Sequence, residues 1–122
     1  MSSDTFVEGA LTLELHDEAT AIRVVWSGRS TAREPGKFIL PILFKAIEKG
    51  VRQNKEVVID FERLNYLNSS TITPVIRILD QAKRGDAKVV IVYNKSLKWQ
   101  ALSFAALQVF QTTDGRIEIR GV

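Results

Sequence analysis

The segment Asn68-Ser69-Ser70-Thr71-Ile72-Thr73 sets five hydroxyl or amide side chains at the head of an otherwise apolar helical pattern. A helix start leaves backbone N–H groups without partners, and Asn, Ser and Thr side chains accept hydrogen bonds from them. Capping accounts for one or two such residues and leaves the others free. Pro74 disfavours helical geometry at the residue before it and fits the first helical position, which makes Thr73 the expected cap. Ser69 and Ser70 then fall in an exposed turn ahead of the helix. A hydroxyl there suits phosphorylation, because the modification adds about −1.5 to −2 charges that a helix N-terminus stabilises. A partner docked on the same spot would have to bury a dianion. The same helix end also suits a nucleotide or other anion bound without any modification.

Other chemistry is thinly provided. The one histidine, His16, falls in an expected hairpin turn, and Asp60, Glu62, Asp80 and Asp86 are scattered over a strand end, a helix and a turn. No G-x-S-x-G elbow, phosphate-binding G-x-x-x-x-G-K-[ST] loop, dinucleotide G-x-G-x-x-G or spaced set of metal ligands occurs. The absence of cysteine excludes disulfides, thiol catalysis and thiolate metal sites, and suits a reducing compartment. The chain therefore reads as a non-enzyme with no catalytic residue, metal or cofactor; acid/base catalysis on Asp60 or His16 ranks last among its readings.

The elements that must position the hydroxyl-rich segment are readable from periodicity. Leu11 to Leu15 alternates strictly and Ala21 to Trp26 is a second strand, with His16-Asp17-Glu18 as the break between them. Ile39, Ile42, Leu43, Ala46, Ile47 and Gly50 recur at helical spacing, with Pro41 expected near the first turn of that helix. Val57-Val58-Ile59-Asp60-Phe61 and Val89-Val90-Ile91-Val92 are apolar without alternation, the pattern of strands covered on both faces. Between them Ile72, Val75, Ile76, Leu79 and Ala82 make the helix that follows the serines, ended near Gly85. Ser96 is the expected cap of a third helix carrying Leu102, Ala105, Ala106 and Val109, and Arg116 to Arg120 alternates like a charged edge strand. The order β-β-α-β-α-β-α-β predicts an α/β domain with a mixed, mostly parallel sheet of about five strands covered by helices. Function in such sheets gathers where strand ends feed helix starts, here between Asp60 and Thr73 and between Tyr93 and Trp99.

A length of 122 residues suits one domain, residues 1–122, with no linker or repeat. Hydrophobic residues make up 45% and charged residues 25%, the balance of a globular protein that buries a real core. Met1-Ser2-Ser3-Asp4-Thr5 lacks a secretion-signal layout and no apolar run is long enough for a bilayer, so a cytoplasmic protein without membrane insertion is expected. Net charge is +3, and Met1 to Glu34 carries six acids against three bases while the remainder carries eight against fourteen. With no cluster of four or more Lys and Arg, this basic bias fits an acidic protein partner better than direct nucleic acid binding.

The element order, Trp26-Ser27-Gly28-Arg29, the strand Val57 to Phe61 and the turn Leu67-Asn68-Ser69-Ser70-Thr71-Ile72 together resemble the STAS domain of bacterial anti-sigma factor antagonists over nearly the whole chain. That resemblance implies a regulatory binding module in a partner-switching pathway. It acts on a serine kinase or anti-sigma factor, is released from it by phosphorylation, and is reset by a serine phosphatase. By position the phosphoserine falls on Ser70, with Ser69 the alternative, since some relatives with an Asn-led turn are modified directly after the Asn. Asn68 stands where the family usually has Asp, and Thr71 where it usually has Gly. The implied partner surface includes Asn68, Ser69, Thr71, Thr73, Arg77 and Trp99. Trp99 either packs in the core or, if exposed, anchors an interface. Self-pairing stays open, and the competing reading on the same fold is a constitutive scaffold or a small-ligand or nucleotide sensor independent of phosphorylation.

Overall fold

The computed structural model describes residues 2–122. The elements are β1 (Ser2–Glu8), β2 (Leu11–Asp17), β3 (Ala21–Ser30), α1 (Gly36–Gln53), β4 (Glu56–Leu67), α2 (Ser69–Arg84), β5 (Val89–Tyr93), α3 (Lys98–Ala105) with a 3-10 turn at Ala106–Phe110, and β6 (Ile117–Gly121). They form one six-stranded sheet in the order β1-β2-β3-β4-β5-β6. β1, β2 and β3 run antiparallel, and β3 to β6 run parallel. The sixth strand relative to expectation is β1, which pairs with β2 from Ser2↔Asp17 to Glu8↔Leu11. It is almost wholly exposed and has no apolar alternation, so nothing in its sequence marks it as a strand.

The strand order explains where the helices lie. Each parallel step moves one place in the same direction, and right-handed crossovers without a reversal put every helix on the same face. Leu13, Leu15, Ile22, Val24, Trp26, Val57, Ile59, Phe61, Val89, Ile91, Ile117 and Ile119 point to that face and share one core with α1, α2 and α3. β4 and β5 are buried on both faces, as expected, but helices cover only one of them. Val58, Val90 and Val92, with Ala21, form a separate small cluster on the opposite face. The same face carries long charged side chains, with Arg23 bonded to Glu18 at 3.3 Å and near Asp60 at 3.8 Å, and Arg120 bonded to Glu118 at 2.8 Å. Their aliphatic stems cover the valines while their charges stay in water. His16 lies within β2 on this face, not in the hairpin turn, and bonds Glu14 at 3.1 Å.

On the helical face, Trp26 tilts against Phe61 at 4.7 Å and Phe61 stacks on Phe104 at 4.3 Å. β4 outruns β5, whose pairing with it stops at Asp60↔Val92, so the carbonyls beyond have no strand partner on that side. The fully buried Gln100 supplies one. Its amide donates to Phe61 O at 2.7 Å and Leu64 O at 3.0 Å, and its carbonyl accepts from Asn94 N at 2.8 Å. Gly28 sits at φ +85° beside a register shift, where an added Cβ would collide with the Ala10 carbonyl that accepts from Arg29 N.

Three helix details depart from the sequence pattern. Pro41 and Pro74 are each the sixth residue of their helices, not near the first turn or at the first position. α2 begins at Ser69, with Asn68 and not Thr73 as its cap. α3 begins at Lys98 with Leu97, not Ser96, before it, and buries Gln100, Phe104 and Leu107 while Leu102, Ala106 and Val109 face out.

Candidate functional site: the start of α2

The strands β3, β4 and β5 end on the same side of the sheet, so the starts of α1, α2 and α3 gather there. At its centre is the Asn68 cap. The Asn68 carbonyl oxygen accepts from Thr71 N at 3.1 Å and from the Thr71 hydroxyl at 2.7 Å, and its amide donates to Ala32 O at 2.9 Å. Thr71 Oγ1 lies 2.6 Å from Ser30 Oγ. Since the Thr71 proton goes to Asn68, Ser30 must donate in this pair. Asn68 N donates to Ser30 O at 3.0 Å, closing the link between the end of β3 and the start of α2. This arrangement gives Asn68 and Thr71 each a structural reason to be the residue it is. Asp at position 68 would face the Ala32 carbonyl with an acceptor, and Gly at position 71 would remove the hydroxyl that holds Ser30.

The cap is built without either serine hydroxyl. Ser69 and Ser70 occupy the first two helical positions and are exposed, whereas Thr71 is fully buried and Ser30 nearly so. Thr71 thus points away from the surface, and its work is to position the turn rather than to touch a partner. Ser70, Thr73 and Arg77 line a shallow groove of about 270 Å³ together with Arg33, Glu34, Pro35, Gly36 and Leu40 from the start of α1. The β3–α1 connection is the part that the sequence reading missed. The signal for it was present, because Ser30 to Gly36 is a third junction from a parallel strand to a helix and carries Arg33.

The electrostatics of this end are lopsided. Arg29, Arg33, Arg63, Arg77, Lys95 and Lys98 enter no ion pair among the described residues, and Arg29 instead stacks over the Tyr66 ring at 4.7 Å. Elsewhere Arg23, Lys49, Lys55, Arg84, Arg116 and Arg120 each have a carboxylate within 4.0 Å, and only Lys83 and Lys88 have none among the described residues. Of the acids at this end, Glu34 is held by Lys37 at 3.1 Å. Glu62 has its carboxyl pushed up by burial and by the neighbouring Asp60. Trp99 is half-buried, its ring 6.2 Å from Phe104, so it packs on the core and keeps an outer edge. Asp60 and His16 line a different, polar cleft of about 530 Å³ on the open sheet face with Glu14, Glu18, Arg23 and Asn94. Among the described residues no group of three or more His, Cys, Asp or Glu is placed to hold a metal, and no helix is long and apolar enough to cross a membrane.

No family model matches the chain, and no curated protein matches it in sequence. Among solved structures it is similar to the crystal structure of an anti-sigma factor antagonist from Mycobacterium paratuberculosis. The two share 17% identity and a TM-score of 0.53, with 94% of this chain and 91% of that chain covered. At that identity the likeness is one of fold: the architecture is that of the STAS domain which the sequence resembles.

Proposed function

On the premise of a STAS fold, we propose that the chain is a non-catalytic regulatory module, anti-sigma factor antagonist-like, that binds a protein partner through the α2 end and is switched by reversible phosphorylation of Ser70. Ser69 is the alternative acceptor. The observation that carries this reading is the division of labour in the turn. Asn68, Thr71 and Ser30 do all the structural work and are buried or half-buried, so two neighbouring serines are left exposed with no capping role. Capping alone, the plainer explanation for a polar helix start, does not account for them.

A phosphate on Ser70 is tolerable within the domain. It would sit in the first turn of a helix, where the macrodipole contributes about 0.3–1 kcal/mol, in a groove that also holds Arg33 and Arg77. For an acidic partner the same group is costly, since it brings like charge to the contact and occupies the cations that attracted the partner. The partners in this reading are a serine kinase or anti-sigma factor and a serine phosphatase, in a cytoplasmic partner-switching pathway.

The test is incubation with ATP and a serine kinase of the partner-switching class, followed by mass spectrometry. Label at Ser70 or Ser69 is expected, and its absence at both would end the proposal. Ser70→Asp is expected to weaken binding of the unmodified protein to that kinase at least about tenfold, about 1.4 kcal/mol, with Ser70→Ala unchanged.

A further inference from the structure

Helix α3 with its 3-10 turn carries an apolar stripe on its outer side as well as its inner one, with the partly exposed Ser103 and the exposed Gln108 as the polar side chains beside it. From Trp99 to Thr113 the sequence carries no charged residue, and the helix spends its inward side on Gln100, Phe104 and Leu107. Its outward side is apolar as well, with Leu102 70% and Val109 76% exposed and Ala106 between them. These three lie four and then three residues apart. That spacing stays on one side because the chain tightens to a 3-10 turn at Ala106, where positions three apart eclipse. A helix with an apolar stripe on its outer side as well as its inner one is normally covered on both. One position ahead of the stripe by the same spacing is Lys98, exposed and with no ion pair among the described residues, and Lys95 precedes it in the exposed loop after β5.

These cations decide between occupants. A second copy docked antiparallel would bring Lys98 toward Asp114, but that carboxylate is already held by Arg116 at 3.1 Å and by Thr112. A second copy docked parallel would bring Lys98 onto Lys98. In addition, Leu102 to Val109 spans only roughly 12 Å of helix. A stripe of that length cannot by itself supply the roughly 800 Å² per partner that a stable interface between two copies buries, whereas it matches a single short helical segment. We propose instead that α3 and its 3-10 turn receive an amphipathic helical segment of a protein partner, apolar along Leu102, Ala106 and Val109 and acidic where it meets Lys95 and Lys98. This docking rests on the strand-end face being a protein-binding surface, and not on phosphorylation of Ser70.

Two synthetic helical peptides of about three to four turns test it. Both carry the same leucine stripe, one with glutamates and the other with lysines in the turn at one end, and each is titrated into isotope-labelled full chain. The glutamate peptide is expected to bind at least tenfold more tightly than the lysine peptide, to shift the amide signals of Leu102, Ala106 and Val109, and to lose that binding in Leu102→Asp. Because Leu102 is exposed, that variant should keep its thermal midpoint, and a loss of binding without a loss of fold is the supporting result. Equal binding of the two peptides, shifts confined to other elements, or no binding would overturn the proposal. So would concentration-dependent dimerisation abolished by Leu102→Asp, which would assign the stripe to a second copy. Failure to label Ser69 or Ser70 ends the switch and leaves these outcomes unchanged, so the two proposals fail separately.

Discussion

Thr71→Val tests whether the buried hydroxyl chain holds the start of α2. Valine keeps the shape of threonine and removes Oγ1, which lies 2.6 Å from Ser30 Oγ and 2.7 Å from Asn68 Oδ1. Asn68 still receives Thr71 N at 3.1 Å, so the second bond is only weakened in function, at about 1 kcal/mol. Ser30 is 1% exposed and loses its side-chain partner, which costs a further ~1–3 kcal/mol for a buried polar group left unsatisfied. The expected total is ~2–4 kcal/mol, a large share of the ~5–15 kcal/mol that holds a domain together. Ser30→Ala in the Thr71→Val background removes the orphaned hydroxyl, so the double variant should regain ~1–2 kcal/mol over Thr71→Val alone. Urea unfolding reads both, since ~3 kcal/mol at a slope of about 1–3 kcal/mol/M moves the midpoint by at least ~1 M. If the double variant is less stable than Thr71→Val by the full cost of Ser30→Ala, the two hydroxyls do not depend on each other and the account of the turn fails. Amide exchange at Ser69 to Ile72 should quicken in Thr71→Val more than exchange in β5, because the loss is local to the first turn of α2.

Gln100→Leu should be the more damaging change, since it strips a buried donor pair from Phe61 O and Leu64 O and an acceptor from Asn94 N. A loss of ~3–5 kcal/mol by urea unfolding is expected, with the β4 end beyond Asp60 exchanging first; a loss below about 1 kcal/mol would show that water replaces the amide. Asp114 has its carboxyl lowered to about 2 by hydrogen bonds from Thr112 and from Arg116 N and its side chain. A carboxyl depressed in the folded state adds stability above its ordinary value of 3.8 and loses it as pH falls toward about 2. Asp114→Asn should therefore lower the thermal midpoint at neutral pH, and the gap from the parent should close on acidification through that window. A gap that is independent of pH would refute the assignment.

Periodicity and turn chemistry alone specify the parallel part of this fold. The apolar runs at Val57 to Phe61 and Val89 to Val92 and the helical spacing after Ile39 and Ile72 determine strand, helix and their alternation, because burial in a sheet or on a helix face constrains residue type at each step. Those same local rules place the two serines at the mouth of a helix. They also fail in identifiable places. β1 is an exposed edge strand whose only specification is its partner β2, so no local apolar pattern exists to read. Pro74 points to a helix starting at that residue, yet Asn68 starts it at Ser69 by accepting from Thr71 three residues on while its amide is anchored on Ala32 O, 36 residues back in the chain. Leu102, Ala106 and Val109 fit a core stripe as well as Gln100, Phe104 and Leu107 do, and only the unpaired end of β4, asking for a buried amide, decides which side of α3 turns in.

The amino-acid sequence by itself determined that this protein has a hydroxyl-rich helix start, no thiol chemistry and a basic remainder, because those are properties of residue type. Which hydroxyls are free was decided only by the tertiary structure. Ser30 and Ala32 must come from the end of β3 to occupy Asn68 and Thr71 before Ser69 and Ser70 are left exposed, and Arg33 must come with them to reach the groove of Ser70. Hydrogen-bond satisfaction is a matter of distance in space, so the division between structural and available side chains in one six-residue segment depends on residues far from it in the chain.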